Sequence, residues 1–251
     1  MTENSAADVS IVVPAYAEER RIGRCLTELK RWAAEFPRLR EVIVVVEPSG
    51  DRTAALARQA ADGDPAVQVR ENPVHRGKGF AVRTGMLAAS GEIIFFMDAD
   101  LSVPLRYVAP FVAHLEAHPQ TAAVIGSRRH PESVVSKRQH FLRERAGRAF
   151  NHVVRALGLS PSKDTQCGFK AFRRAAAREI FSQAKIDGFA FDTEVMLLAR
   201  KLGLRVDELP VEWINDEETK FRPLRDGWRS AWDLWRVRGM HRAPRAPLQG
   251  G

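Results

Sequence analysis

The 251-residue chain is long enough for one large α/β domain with a substantial core, or for one domain with a small appendage. Its two cysteines, Cys25 and Cys167, form no paired spacing, which excludes a disulfide-rich protein and favours buried thiols in a reducing cytosol. The N-terminus is polar and acidic, and no apolar run approaches the ~20 residues of a membrane span. We therefore expect neither a signal peptide nor an integral membrane protein.

The net charge of +8 is concentrated in the C-terminal half of the chain. Residues 128–178 carry 13 Lys and Arg against 3 Asp and Glu, and residues 220–245 carry 8 against 2. Such clustering is typical of a surface that meets a phosphate, a nucleic acid or an acidic membrane. A solvated positive face without a ligand has the same composition, so the charge alone does not choose between them.

Short apolar runs alternate with helical patterns through the first half. Strands are predicted at 9–13, 42–46, 67–69, 92–97 and 122–125, and helices at 20–36, 53–61, 79–89 and around 108–116. The run 42–46 is continuously β-branched, as expected for a strand buried on both faces. This rhythm predicts an α/β fold with a mostly parallel sheet and helices on both faces. Ligands of such sheets bind outside the carboxyl ends of the strands.

The second half is less regular. Residues 130–151 fit a mobile loop leading into a helix, and the patterns then predict a strand at 168–173, a helix at 192–202 and a strand at 206–211. A C-terminal amphipathic helix at 224–238 carries Trp228, Trp232 and Trp235 on one face, which suits either core packing or an anionic membrane surface. We expect a single domain over 1–242 and a disordered tail at 243–251.

Asp98-Ala99-Asp100 follows a very apolar predicted strand. Strand alternation would send both carboxylates to one side, where Mg²⁺ or Mn²⁺ would hold them ionised and bridge phosphate oxygens. Gly77-Lys78-Gly79 lacks the spacing of a P-loop and the third glycine of a dinucleotide-binding turn. It either brings backbone, helix N-terminus and Lys78 to a phosphate or forms a plain tight turn.

Six segments resemble, in order, those of family 2 glycosyltransferases, and within that family the polyprenyl-phosphate (dolichyl-phosphate) glucosyl- and mannosyltransferases. They lie at residues 12–19, 76–79, 97–102, 126–128, 164–170 and 189–194. The Asp-Thr-Gln-Cys-Gly-Phe-Lys run, followed by Phe-Asp-x-Glu, is the most specific and points to the glucosyl branch. The resemblance implies a GT-A fold, a nucleotide-sugar half at 9–127, an acceptor half at 128–242, and inversion at the anomeric carbon.

The resemblance also implies the donor site. Pro14, Tyr16 and Glu18 would border the nucleoside, and Lys78 would lie near it or near the diphosphate. Many relatives have Asp-Asp-Gly-Ser after the second strand, where this chain has Glu47-Pro48-Ser49. Glu47 is expected to accept a hydrogen bond from a base N–H. Many relatives also carry a transmembrane anchor, which we do not expect here.

In the same resemblance Asp98 would face ribose and metal, with Ala99 beside it, and Asp100 would be a direct metal ligand assisted by Ser102. The expected cofactor is therefore Mg²⁺ or Mn²⁺.

The acceptor side is expected to include Arg128 and Arg143 as ligands of an acceptor phosphate, with Asp164 and Gln166 also binding acceptor. Asp192 occupies the place of the carboxylate nearest the acceptor. It would act as general base for a hydroxyl acceptor, or it would cap the following helix, or both.

These observations predict transfer of a sugar, glucose from UDP, to a polyprenyl phosphate or alternatively to a soluble hydroxyl-bearing acceptor. A sugar-phosphate nucleotidyltransferase would need a Gly-rich basic loop directly after the first strand, and residues 14–18 are not such a loop. A nucleic-acid-binding protein would leave Asp98 and Asp100 unexplained, so no nucleic acid partner is expected. The expected location is the cytoplasm, with peripheral attachment to the inner face of an anionic membrane as an option.

Overall fold

The computed structural model describes residues 7–136, 162–214, 236 and 239–241. Arg143, the predicted tail at 243–251, and the predicted helix at 224–238 apart from Arg236 lie outside these residues. The same is true of the predicted loop and helix beyond residue 136.

From residue 9 to residue 127, strands and helices alternate along the chain as the patterns predict. The strands are β1 (Val9–Ala15), β2 (Leu39–Val46), β3 (Val67–Glu71), β4 (Ile93–Met97), β5 (Thr121–Ser127), β6 (Val134–Val135), β7 (Phe169–Arg173), β8 (Arg205–Pro210) and β9 (Glu212–Trp213). The helices are α1 (Ile22–Ala33), α2 (Thr53–Ala61), α3 (Lys78–Ala88), α4 (Val108–Ala117), α5 (Arg174–Gln183) and α6 (Phe191–Lys201). Helix α5 and the short strands β6 and β9 were not predicted.

Seven strands form one sheet in the order β3-β2-β1-β4-β7-β5-β8. Neighbouring strands are parallel except around β7, which runs antiparallel to both β4 and β5. The prediction of a mostly parallel α/β sheet is confirmed. Because β7 is inserted between β4 and β5, the expected nucleotide-sugar and acceptor halves share one sheet and interleave at its centre.

Helices cover both faces of this sheet. Successive strand residues point to opposite sides, so a continuously apolar strand places apolar side chains on both faces, and each face packs against helices. Phe96 of β4 packs in the cluster that includes Phe191 of α6, with ring centroids 5.7 Å apart. Its neighbour Phe95 packs in the opposite cluster beside Phe111 of α4, at 6.3 Å. Both faces of β4 are therefore buried, which explains why its sequence is continuously apolar.

The reversed direction of β7 decides which residues reach the functional edge. Met97, the last residue of β4, pairs with Phe169, the first residue of β7. The Asp98 N–H donates to the Gly168 carbonyl at 3.3 Å. The segment before β7 therefore lies beside the carboxyl ends of β4 and β5, where a parallel strand would have carried it to the far side of the sheet.

Cys25 and Cys167 are free and buried, as expected from their spacing. Burial raises the pKa of each thiol to about 12. Within the described ranges, no helix combines the length and the apolar character needed to cross a bilayer.

Candidate active site

Charged side chains from several elements meet at the carboxyl edge of the sheet. Lys78 begins α3, Asp98 and Asp100 follow β4, Arg128 follows β5, and Asp192 lies in the first turn of α6. Lys78 Nζ is 2.6 Å from Asp98 Oδ1. Burial opposes the charge of Lys78, but Asp98, Asp192 and Asp100 together raise its pKa above the ordinary value. The fold thus brings predicted donor and acceptor residues into one charged cluster.

Asp98 and Asp100 do not lie in the strand, since β4 ends at Met97. A turn brings them together instead, with Leu101 at φ 49° and its N–H donating to the Asp98 carbonyl at 3.1 Å. Asp100 Oδ1 accepts from the Ser102 N–H at 2.9 Å, and the Ser102 side chain also hydrogen-bonds this carboxylate. Burial, with the nearby charge of Asp98, raises the pKa of Asp100. The prediction that strand alternation would bring the two carboxylates to one side was therefore wrong, because a turn does so instead.

This pair of carboxylates fits a divalent cation. The positive charge of such an ion would compensate for the burial of Asp100 and for its repulsion by Asp98, the two causes that raise the pKa of Asp100. Among the described residues there is no group of three or more His, Cys, Asp and Glu able to hold a metal. Two carboxylates suit an ion whose other ligands are substrate phosphates and water, as Mg²⁺ commonly has.

Gly168 lets the backbone of the β7 segment lie directly against Asp98. A Cβ at this position would be 2.1 Å from Asp98 Oδ2, well inside van der Waals contact. Asp98, Asp100 and Gly168 line one small cavity, together with Ser102 and Trp213. A side chain at residue 168 would therefore displace the carboxylate that pairs with Lys78.

The start of α3 is packed against the loop between α5 and α6. Gly77 has φ 126°, and a Cβ there would lie 2.6 Å from the Asp187 carbonyl oxygen. A Cβ at Gly79 would lie 2.4 Å from the backbone of the same loop. The Asp187 carboxylate also pairs with Arg76 at 2.6 Å. These glycines allow two backbones to pack closely, which holds the intervening lysine at the sheet edge.

The predicted nucleoside residues surround the end of β1. Pro14 lies beyond the part of β1 that pairs with β4, where a missing N–H is tolerated. Tyr16 is 43% exposed, and its ring stacks on that of His75 with centroids 4.1 Å apart and planes at 15°. Glu18 accepts from Arg21 through both carboxylate oxygens, at 2.7 and 3.1 Å. Of these residues, the Tyr16–His75 stack presents an aromatic surface at the edge.

Glu47 has a different environment from the one expected. It is 1% exposed, and Oε1 accepts from Asn72 Nδ2 at 2.6 Å. Oε2 accepts from the backbone N–H groups of Arg76 and Gly77, at 2.7 and 3.0 Å, and lies 2.9 Å from His75 Nδ1. Since both oxygens are engaged by the loop before α3, we replace the expected contact with the base by a role in organising that loop.

Arg128 is held by Asp164, which corrects the expected role of the aspartate. Asp164 is fully buried, and its oxygens accept from Arg128 Nε at 2.7 Å, Nη2 at 2.8 Å and the backbone N–H at 3.0 Å. Burial opposes ionisation of Asp164, but the charge and hydrogen bonds of Arg128 lower its pKa to about 2. Asp164 therefore orients Arg128 and has no surface with which to touch an acceptor. The guanidinium also lies 5.5 Å from the Trp213 ring.

Two other predicted residues have less informative surroundings. Ala99 is 6% exposed and packs in the core below the turn. The Nε2 atom of Gln166 is buried, and no hydrogen-bond partner for it lies in the part of the chain that is described.

Lys170, which was not among the predicted site residues, pairs with Asp192. Lys170 is fully buried in β7; its Nζ donates to Asp192 Oδ1 and, at 2.6 Å, to the Cys167 carbonyl. Burial raises the pKa of Asp192, while the charges of Lys170 and Lys78 oppose that rise. The alternation of β7 could have revealed this, because Lys170 shares a face with the buried Phe172, and a buried charge requires a partner.

The start of α6 differs from the expected capping. Ala190 is the N-cap residue, so Asp192 is not the cap. Glu194, in the first turn of α6, is fully buried and accepts from the backbone N–H groups of residues 185–186 at 2.8 to 3.0 Å. It also lies 2.6 Å from His241 Nε2. Glu194 therefore fixes the loop that packs on α3.

Residues 10–181 match the sequence profile described as glycosyl transferase family 2. The chain belongs to this family. The dolichyl-phosphate beta-glucosyltransferase of Drosophila melanogaster is 34% identical over 254 residues, covering 94% of this chain and 76% of that protein. That of Homo sapiens is 31% identical, with the same coverage. One from Trichomonas vaginalis is 35% identical, covering 85% of this chain and 66% of that protein. The predicted resemblance to this group is confirmed.

Two solved structures share the fold. Glucosyl-3-phosphoglycerate synthase of M. tuberculosis has a TM-score of 0.66 at 20% identity, covering 92% of this chain and 79% of that one. Mannosyl-3-phosphoglycerate synthase from Rubrobacter xylanophilus has a TM-score of 0.68 at 19% identity, covering 97% and 79%. The predicted GT-A fold is confirmed. The mycobacterial enzyme has been crystallised with Mn²⁺, UDP-glucose and phosphoglyceric acid.

Proposed function

We propose that this protein transfers glucose from UDP-glucose to a polyprenyl phosphate, with inversion at the sugar C1. The observation that carries the proposal is the meeting of two charged groups at one edge of the sheet. Lys78, Asp98 and Asp100 form the first, and the Arg128–Asp164 pair forms the second. The names of the curated relatives support the substrate class.

On the donor side, the exposed Tyr16–His75 stack is suited to a nucleobase, because an aromatic face accepts a second stacked ring. Lys78 lies within reach of the diphosphate that Asp98 and Asp100 would bring to the edge through a divalent cation. When bound, Mg²⁺ or Mn²⁺ would supply Lewis-acid stabilisation of the charge that develops on the departing diphosphate. The Mn²⁺ and UDP-glucose complexes of the mycobacterial fold neighbour support this assignment.

On the acceptor side, Arg128 is suited to a phosphate. Asp164 accepts from Nε and from one N–H of Nη2, so the remaining N–H groups of the guanidinium, those on Nη1 among them, would donate to an acceptor phosphate. The Arg128 side chain is 25% exposed and fixed in direction, so it would bind an anion without first losing rotamer freedom. A phosphate monoester is already ionised at neutral pH, and therefore attacks C1 without a general base.

The alternative acceptor is a soluble molecule with a hydroxyl group, for which Asp192 would be the base. Asp192 is 3% exposed and one oxygen already accepts from Lys170, which favours the phosphate acceptor. Replacing Asp192 by Asn separates the two reactions. A lost base lowers turnover by about 10²–10⁴-fold, whereas a phosphate acceptor makes no demand on that proton transfer.

The direct test incubates the purified protein with UDP-glucose, GDP-mannose or other nucleotide-sugars, and with Mg²⁺, Mn²⁺ or EDTA. Polyprenyl phosphate and phosphoglyceric acid serve as the two acceptor classes. We expect one hexose to be added to polyprenyl phosphate from UDP-glucose, only with metal, and a β linkage in the product. Transfer to phosphoglyceric acid alone, or full activity in EDTA, would contradict the proposal.

A lipid acceptor places the reaction at a membrane surface, so we also propose peripheral attachment to an anionic cytoplasmic face. The basic segments at 128–178 and 220–245 support this, since clustered Lys and Arg are attracted to anionic lipid. The protein should float with vesicles containing phosphatidylserine and not with neutral vesicles, and salt should release it. Equal flotation with anionic and neutral vesicles would contradict an electrostatic attachment.

A further inference from the structure

We propose that Lys170 and Asp192 form a buried ion pair that positions Lys78 for the donor diphosphate, which makes Lys170 a positioning residue of the reaction. This inference rests on the proposed use of a nucleotide-sugar donor. It assigns Asp192 to the support of the donor site and not to proton transfer.

Lys170 is placed so that its charge acts only inside the protein. It stands in the middle of β7, paired in register with Phe96 of β4 and Ile125 of β5, and it is fully buried. Its ammonium lies 4.8 Å from the centre of the Phe96 ring and donates to Asp192 and to the Cys167 carbonyl. A lysine so enclosed cannot itself touch a substrate, and any effect on the reaction must pass through its partners.

The partner Asp192 lies at the junction between α6 and the start of α3. Gly79 is so close to Phe191, the residue before Asp192, that a Cβ on Gly79 would be 2.6 Å from the Phe191 Cβ. The Lys78 ammonium lies 5.9 Å from the centre of the Phe191 ring. The beginnings of the two helices are therefore in direct contact, and Asp192 directly follows the residue whose ring lies beside Lys78.

Charges of alternating sign then run from the core to the edge, as Lys170, Asp192, Lys78 and Asp98. Lys170 contacts Asp192, and Lys78 contacts Asp98 at 2.6 Å. The two pairs are neighbours, because Asp192 follows Phe191, whose ring centre lies 5.9 Å from the Lys78 ammonium. Lys78 thus contacts one carboxylate directly and lies next to the helix start that carries a second, which is anchored by the buried Lys170. This anchoring keeps the Lys78 ammonium at the edge where the diphosphate would bind.

The test measures UDP binding to the whole 251-residue chain by calorimetry in the presence of Mn²⁺. Lys170→Met removes the buried charge, and we expect it to weaken UDP binding about tenfold, as expected for coupled charges in one network. Asp192→Asn should weaken it to a similar extent. In kinetics, both variants should raise the KM for UDP-glucose and leave the KM for the acceptor unchanged. Lys201→Met, which removes an exposed charge from the far end of α6, is the matched control and should bind UDP normally.

The decisive comparison places Lys170→Met in a protein that already carries Lys78→Met. If Lys170 acts through Lys78, the second substitution should change UDP affinity less than about twofold. A further tenfold loss in this background would overturn the proposal, and so would normal UDP binding by Lys170→Met. A loss of turnover in Asp192→Asn with an unchanged KM for UDP-glucose would instead assign the aspartate to proton transfer.

Removing a buried lysine leaves a buried carboxylate without its partner, so Lys170→Met is expected to lower the melting temperature by about 10 °C. A second variant, Lys170→Met with Asp192→Leu, replaces both charges by apolar groups and should recover most of that loss. It should nevertheless bind UDP as weakly as Lys170→Met. Recovery of normal UDP binding in this stable variant would show that the pair supports only the fold. Failure of the wild-type protein to bind UDP would count against the proposed function and not against the role of Lys170.

Discussion

Replacement of Asp164 by Asn should separate acceptor binding from donor binding. The wild-type carboxylate accepts three hydrogen bonds from Arg128, two at Oδ2 and one at Oδ1. An Asn side chain can keep its oxygen at the Oδ2 position, but its NH₂ group then faces Arg128 Nη2, donor against donor. The guanidinium should turn away from its wild-type direction, and the buried Asn should lose one hydrogen bond.

The structure also sets the size of the effect on stability. Arg128 lowers the pKa of Asp164 from 3.8 to about 2. One pKa unit corresponds to about 1.4 kcal/mol, so the ionised pair stabilises the folded protein by about 2 kcal/mol at neutral pH. Because the folded-state pKa is depressed, this contribution is complete above pH 3.8 and is lost as the pH falls from there toward 2. The stability difference between wild type and Asp164→Asn should therefore shrink in the same pH range.

Urea unfolding followed by tryptophan fluorescence would measure the stability difference, and steady-state kinetics would measure the effect on the site. We expect Asp164→Asn to raise the acceptor KM about tenfold or more, with UDP affinity within twofold of wild type. Asp62→Asn, at an exposed position, is the control and should change neither quantity. Equal weakening of UDP and acceptor binding would show that Arg128 does not serve the acceptor, and an unchanged unfolding free energy would refute the pairing argument.

Three further predictions concern the donor side. Burial and the charge of Asp98 raise the pKa of Asp100, so ionisation of Asp100 destabilises the folded protein as the pH rises. Asp100→Asn should therefore raise the melting temperature in EDTA at pH 7 while it abolishes transfer. A lower melting temperature would contradict this. Gly168→Ala puts a methyl group 2.1 Å from Asp98 Oδ2, so the carboxylate must move, and turnover should fall at least tenfold while the circular dichroism spectrum stays that of a folded protein. Wild-type turnover would mean that Asp98 can move without consequence. Glu47→Gln places an amide NH₂ against the backbone N–H groups of Arg76 and Gly77. This should lower the free energy of unfolding in urea by about 1–3 kcal/mol and weaken UDP binding. If neither changes, the hypothesis that Glu47 binds the base is favoured again.

Patterns of sequence predicted most of the described secondary structure, because apolar periodicity follows directly from which faces are buried. The run 42–46 is apolar throughout, as it must be in a strand covered on both faces, and it lies in β2. Helix α5 was missed although its buried residues recur at helical spacing, since it follows β7 without an intervening turn residue. The order of segments along the chain was sufficient to indicate the family.

The sequence by itself determined the α/β class and the family, and it predicted a site at the carboxyl ends of the strands, because these depend on local periodicity and on short motifs. Only the tertiary structure decided what several of those motif residues contact. The reversal of β7 carries Asp164 to Arg128 and Gly168 to Asp98, and strand direction is set by long-range pairing that no local pattern encodes. The same reversal buries Lys170 opposite Asp192, since a side chain finds its charge partner only when separate elements pack together.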